Sequence, residues 1–243
     1  KLAAIAFLFA HALYKAALFM IVGNIDHATG TRSIDRLMGL WRAMPWTAAA
    51  AALAGLSMAG LPMSFGFVAK DLISIAKADA ELLDVISHAM LFVNVVAVAV
   101  AGVAAVRVFG GRPEWPAGRV HEAPWQMTIP PALLGLIGLE FEYLPDLADP
   151  LLAAAAQAMA PGLEVVNVSA SYKFGTVLTA TEITMAIGLV LFLVWDRLHR
   201  LLRPAPWLDI ASPSTWYGFL LKGLARFAAW QTLALQHGRL PGY

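Results

Sequence analysis

Two lysines, Lys15 and Lys70, lie inside long apolar runs, and each has another ionisable residue close by. In His11-Ala-Leu-Tyr-Lys15 the histidine and the lysine are four apart, which stacks them on one face of a helix. Lys15 sits about 8 residues, or about 12 Å, from the nearer end of its run, too deep to reach headgroups easily. A charge at that depth costs roughly 2.5–3.5 kcal/mol unless it faces a polar interior. One reading is a snorkelling lysine or a polar pair that glues helices. The preferred one is a titrating relay, in which a desolvated amine and the adjacent imidazole hand a proton between them. Lys70 and Asp71 follow directly on a helix break, in Gly66-Phe-Val-Ala-Lys70-Asp71. As neighbours they point about 100° apart and do not pair directly. Lys70 is read as a proton carrier, with Asp71 beside it as a further candidate. His88 and Glu182 are secondary candidates: each is explained as simply by an interfacial or hydrogen-bonded role. Glu140 and Glu142 are most simply solvated, and Met58 and Met63 fill gaps around the break.

The elements that must hold these groups belong in a membrane. Of the 243 residues 60% are apolar or aromatic and 14% charged, with a mean hydropathy of +0.69. A soluble domain carries roughly a quarter charged residues, so a globule of this make-up could not cover itself. A net charge of +1 argues against a nucleic-acid partner, and the absence of cysteine excludes disulfides and thiolate metal sites. No phosphate-cradling, dinucleotide or zinc-protease motif is present, so no cofactor and no metal are expected. Lys1 precedes an apolar run that lacks the pattern of a signal peptide. With the approach-like tail 237–243, this predicts an internal stretch of a longer membrane protein.

Five segments are apolar and long enough to span about 30 Å of hydrocarbon: 2–23, 46–78, 82–109, 126–144 and 177–195. The second is broken near 60–64, because Pro62 lacks an amide proton and clashes with the preceding turn. Each piece is only about 22 Å long, so the segment counts as one crossing by a discontinuous helix. Counted so, the loops alternate between two sides. One receives Arg32, Arg36, Arg42, Arg107, Arg112, Arg119, Arg197, Arg200 and Arg203; the other receives Lys77 and Lys173. That bias puts the arginine side in the cytoplasm. Tryptophans 41, 46, 125, 195 and 207 fit an interfacial belt. Residues 148–160 read as a short surface helix. Residues 212–236 read as an amphipathic helix along the cytoplasmic interface, opened by a capping Ser212 and by Pro213 at the first helical position. The predicted class is an all-α polytopic transmembrane bundle (1–197), with one discontinuous helix, a linker (198–211) and a cytoplasmic-side lateral amphipathic helix (212–236).

His11-Ala-Leu-Tyr-Lys-Ala-Ala-Leu-Phe-Met20, Leu56-Ser-Met-Ala-Gly-Leu-Pro62 and Gly66-Phe-Val-Ala-Lys-Asp71 together resemble the proton-conducting subunits of respiratory complex I and their antiporter relatives. Asp26-His-Ala-Thr-Gly-Thr-Arg32, followed by Arg36-Leu-Met-Gly-Leu40, narrows this resemblance to the A subunits of Mrp-type multisubunit sodium/proton antiporters. The tail Gln236-His-Gly-Arg-Leu-Pro-Gly-Tyr243 resembles the segment after the long lateral helix of those proteins. The resemblance runs through most of 1–80 and more weakly over 120–243. It implies a fourteen-helix core followed by further helices and a lateral helix. By carry-over, His11 and Lys15 match the histidine and lysine of the family's HA-x-x-K motif, and Lys70 matches the lysine after the broken helix. These belong to the second of two half-channels, the first lying upstream. Pro62-Met63 departs from the Pro-Pro or Pro-Leu frequent in relatives and leaves the break intact.

The resemblance implies a proton-conducting part of a monovalent cation/proton antiporter in the cell (inner) membrane. Its partners would be other membrane subunits, protons and a cation, Na⁺ by resemblance, and no enzyme chemistry would reside in the chain. Two alternatives remain: the distal pumping subunit of an NADH:quinone oxidoreductase, and a scaffold whose lateral helix clamps partner subunits.

Overall fold

The computed structural model describes residues 2–78, 84–112, 119–159, 178–202, 210 and 212–235. Residues 160–177, with Lys173, lie outside the described residues, as do 203–209, with Arg203 and Trp207, and 236–243. The regular elements of the described residues are all helices, with no strand among them. They form α1 (Leu2–Thr29), α2 (Pro45–Ala59), α3 (Phe65–Ala78), α4 (Asp84–Gly102), α5 (Trp125–Tyr143), α6 (Asp149–Met159), α7 (Leu178–Leu202) and α8 (Pro213–Leu235). A π-helical turn, Val103–Arg107, extends α4. The chain divides into two compact units, Lys1–Leu193 and Val194–Tyr243. Among the described residues two stretches, Ala3–Thr29 and Val85–Arg107, are by themselves long and apolar enough to cross a membrane.

In the first unit α2 packs against α1, α3, α4 and α5. It presents buried Ala50, Ala51 and Ala54, and small side chains are what let membrane helices approach closely. Pro45 opens α2 at a position where its missing amide proton is no loss. Gly60 closes it in the left-handed conformation, at φ 74°. The Leu61 amide donates back to the Leu56 carbonyl and the Gly60 amide to Ser57, the paired bonds of a glycine-terminated helix. Pro62 then prevents continuation. Met63, with φ 76°, is a non-glycine residue in the left-handed region, a conformation costing of order 1–3 kcal/mol that its surroundings must enforce. The Ser64 hydroxyl donates to the Leu61 carbonyl at 2.7 Å, and α3 starts at Phe65.

The two pieces of the broken segment are thus real helices, and the chain between them is non-helical. Helix α1 runs on to Thr29, past the expected 23, because the polar residues from Asn24 onward end the apolar run without ending the helix. A core of Tyr14, Ile21, Met44, Met58 and Phe109 joins α1, α2 with its preceding residue, and the chain just after the π-helical turn. A second core of Ala6, Ala10, Phe65, Val68 and Leu152 joins α1, α3 and α6.

In the second unit the aromatic and aliphatic side chains of α8, among them Trp216, Phe219, Phe227 and Trp230, are exposed. The Ser212 carbonyl accepts from the Thr215 and Trp216 amides. Its hydroxyl meets Ser214 Oγ at 2.7 Å and not a backbone amide, so the expected side-chain cap is replaced by a serine pair.

Gly66 sits where the start of α3 meets the end of α2: a Cβ there would lie 1.9 Å from the Ser57 carbonyl oxygen. Backbone cannot rotate away as a side chain can, so Gly66→Ala should force the helices apart and cost about 1–3 kcal/mol or more. Gly218, with open space around it on α8, should accept alanine with a gain of up to about 1 kcal/mol from helix propensity. Thermal unfolding of the purified full-length protein with its partners, for both variants, checks the pair.

Candidate functional site

Helix α2 ends where its last carbonyls have no intrahelical partner. Lys70, one turn and a half into α3, fills that position: its Nζ donates to the Met58 carbonyl at 2.8 Å and to the Ala59 carbonyl at 3.0 Å. An ammonium there also meets the negative end of the helix dipole. The lysine stem lies over Gly60, whose absent side chain leaves the room it needs. A Cβ on Gly60 would come within 2.7 Å of Lys70 Cδ. Asp71 is 5% exposed and makes no hydrogen bond or ion pair to a described residue. As its sequence position requires, it does not pair with Lys70.

His11 and Lys15 are half-buried on α1. The imidazole is held between two aromatic rings one turn away on either side. Phe7 meets it edge-on at 6.0 Å between centroids, and Tyr14 stacks on it at 5.2 Å with the planes 5° apart. Neither His11 nor Lys15 forms a hydrogen bond or ion pair with another described residue. Lys15 lies about 14 residues before the end of α1, and Ala59 about 14 residues after the start of α2, the next α-helix, which packs against α1. Both are thus about 21 Å from the connecting loop. Tyr14, Met58 and Ala59 share one core, so the α1 pair and the Lys70 head occupy comparable depths in one bundle. His88 is exposed near the start of α4 and Glu182 near the start of α7. Glu182 has no hydrogen-bond or ion-pair partner among the described residues. No cluster of three metal-ligating side chains occurs among them either.

Glu122 completes the polar framework of α2, and sequence reasoning missed it. Its carboxylate accepts from the Trp46 amide at 2.8 Å, from the Thr47 amide at 3.3 Å and from the Thr47 hydroxyl. The residue that precedes α2 in the chain, Met44, has no oxygen in its side chain to offer. A carboxylate from the loop before α5 therefore caps the orphan amides and meets the positive end of the dipole. Nothing in the linear chain marks a capping partner so far away. Tyr14, which packs the imidazole, carries no mark in the sequence either.

An all-helical bundle with apolar stretches long enough to span a bilayer and ionisable groups held at a helix break defines a polytopic helical membrane protein. Residues 2–101 match the NADH:quinone oxidoreductase/Mrp antiporter transmembrane family. The A subunit of the Na⁺/H⁺ antiporter of Alkalihalophilus pseudofirmus is 34% identical over 79% of this chain and 26% of its own length. The A1 subunit of the Na⁺/H⁺ antiporter of Staphylococcus haemolyticus is 29% identical over 97% of this chain and 31% of its own. Among solved structures, the Mrp complex from Dietzia sp. matches over 99% of this chain and 26% of that one, with a TM-score of 0.70 at 29% identity. The chain belongs to the family of Mrp-type antiporter A subunits, and it spans about a quarter to a third of the length of these relatives.

The capping role of Glu122 has a measurable consequence. Glu122→Ala should cost about 1–2 kcal/mol, the range for losing a helix cap. Glu122→Gln keeps an acceptor but loses the charge, and should cost about 0.3–1 kcal/mol, the worth of a charge at a helix end. Denaturant unfolding of the purified parent assembly checks this order; equal stability of both variants and the wild type contradicts it.

Proposed function

We propose that this chain forms part of the proton path of a multisubunit monovalent cation/proton antiporter, with His11, Lys15, Lys70 and Asp71 as the proton-carrying groups. The observation that carries this reading is the Lys70 ammonium on the Met58 and Ala59 carbonyls, at the depth of the His11–Lys15 pair. Charged Lys70 is attracted to the helix end; once it gives up its proton, the charge–dipole part of that attraction is lost and the head is released. Water between the helices carries the proton to or from Lys15 and His11, and Asp71 balances charge beside Lys70. His88 and Glu182 serve as secondary groups nearer the helix ends. Moving one charge across 100 mV is worth roughly 2.3 kcal/mol, enough to couple a charge-state change in this path to cation movement.

In this reading α2 and α3 cross the membrane together as one discontinuous helix. The arginine-bearing loops face the cytoplasm, and α8 lies along that face as a lateral helix docked on partner subunits. The names of the relatives support Na⁺ as the exchanged cation.

The test is dissipation of a pH gradient on adding Na⁺, K⁺ or Li⁺ to everted vesicles carrying the full-length parent protein with its partners. Lys15→Ala and Lys70→Ala should each abolish the response with assembly unchanged. Gly60→Ala, which pushes the Lys70 stem off its seat, should weaken it several-fold. Exchange at the wild-type rate in both lysine variants overturns the relay. A gradient built by NADH oxidation with no cation response moves the same residues to a respiratory pump.

A further inference from the structure

The stretch Asp26–Arg32 has no part in the relay, yet it is built with care. Gly30 turns the chain at φ 71°, and the Thr29 hydroxyl donates to the Ile25 carbonyl and accepts from the Thr31 amide. The Arg32 guanidinium is drawn back onto Asp26, with Nε at 2.8 Å and Nη2 at 2.7 Å from the same carboxylate oxygen. Its side chain is still 78% exposed, and Nη1 has no partner among the described residues. The ion pair fixes the guanidinium beside Asp26 without burying it.

Arg32 lines an apolar slot of about 130 Å³ between α1 and the chain at and beyond the π-helical turn, walled by Leu18, Val22, Ile25, Leu37 and Val108. More positive charge gathers around this slot. The Arg107 Nη1 donates at 2.8 Å to the carbonyl of Ile34, which also lines the slot. The Gly39 amide donates to Gly110 at 2.7 Å and the Trp41 amide to Phe109 at 3.1 Å, so exposed Arg36 and Arg42 lie on the strip of surface that holds exposed Arg112. Glu122, an acid of the same end, is spent on the α2 amides. Exposed Trp41 and Trp46 sit at this end too, and tryptophan marks the headgroup level of a bilayer.

We propose that this slot is a binding site for an anionic phospholipid, its acyl chain in the slot and its headgroup phosphate on Arg32 and the neighbouring arginines. A basic pocket between spanning helices at the membrane boundary has the right chemistry. A guanidinium fork held in place by Asp26 loses less freedom on meeting a phosphate than a free one. The proposal rests on α1 and α4 spanning the bilayer and is independent of the proton path.

The test reconstitutes the full-length parent assembly in phosphatidylcholine vesicles containing photoreactive phosphatidylglycerol, or photoreactive phosphatidylcholine as the comparison, and maps labelled peptides. Phosphatidylglycerol should label 18–37 and 104–112 several-fold above phosphatidylcholine. Arg32→Gln should remove that excess. Val22→Trp, which fills the slot without touching a charge, should remove it as well. Lys15→Ala should label like the wild type, so failure of the relay and failure of the lipid site read out separately. Equal labelling by both lipids, an excess that survives in both slot variants, or its loss on adding inorganic phosphate alone would each overturn the site.

Discussion

A helix that stops inside a packed bundle leaves carbonyl oxygens with no intrahelical partner, and such ends persist where other parts of the protein supply the missing donors. Here the donor is the Lys70 ammonium on the Met58 and Ala59 carbonyls. Much of the neighbouring geometry follows from that contact. Gly60 must be glycine for the left-handed turn and again for the lysine stem that crosses it. Gly66 must be glycine for the start of α3 to lie close enough to the end of α2 to deliver the lysine. Pro62 and Met63 hold the intervening chain out of helical register. Turn, close approach and cap form one interdependent unit, so a change in any of them reaches the charged group.

The same helix is held at its other end by a charge of opposite sign. Glu122 accepts the Trp46 and Thr47 amides, so α2 lies between a carboxylate at its amino end and an ammonium at its carboxyl end, each matched to the dipole it faces. Both come from outside the helix, which ties α2 to α3 on one side and to the approach to α5 on the other. Under the proposed relay, a charge change at Lys70 would unbalance a rod pinned at both ends. That gives the group a mechanical outlet as well as an electrostatic one.

Two levels of the bundle thus carry different chemistry. Deep in the bundle, few polar groups stand among apolar side chains, and the geometry of a broken helix decides what each can do. At the loop end, arginines and tryptophans crowd a surface where the Asp26–Arg32 ion pair is exposed and worth little as stability. Its consequence is position, because it holds the guanidinium of a slot-lining residue beside Asp26.

The amino-acid sequence by itself determined the membrane class, the break at Gly60-Leu-Pro62, the stacking of His11 with Lys15 on one helical face and the separation of Lys70 from Asp71. All of these follow from local rules: apolar run length, backbone freedom of glycine and proline, and the helical repeat. Only the tertiary structure decided what those groups meet. The Lys70 partners are backbone oxygens, which no side-chain pattern announces. Glu122 reaches α2 from far along the chain, and Tyr14 became a platform for His11 through rotamer and packing. The physical reason is one of range. Helical periodicity places neighbours within a turn or two, whereas contacts between helices depend on how small residues such as those of α2 let whole elements approach, and that is settled only when every face is packed at once.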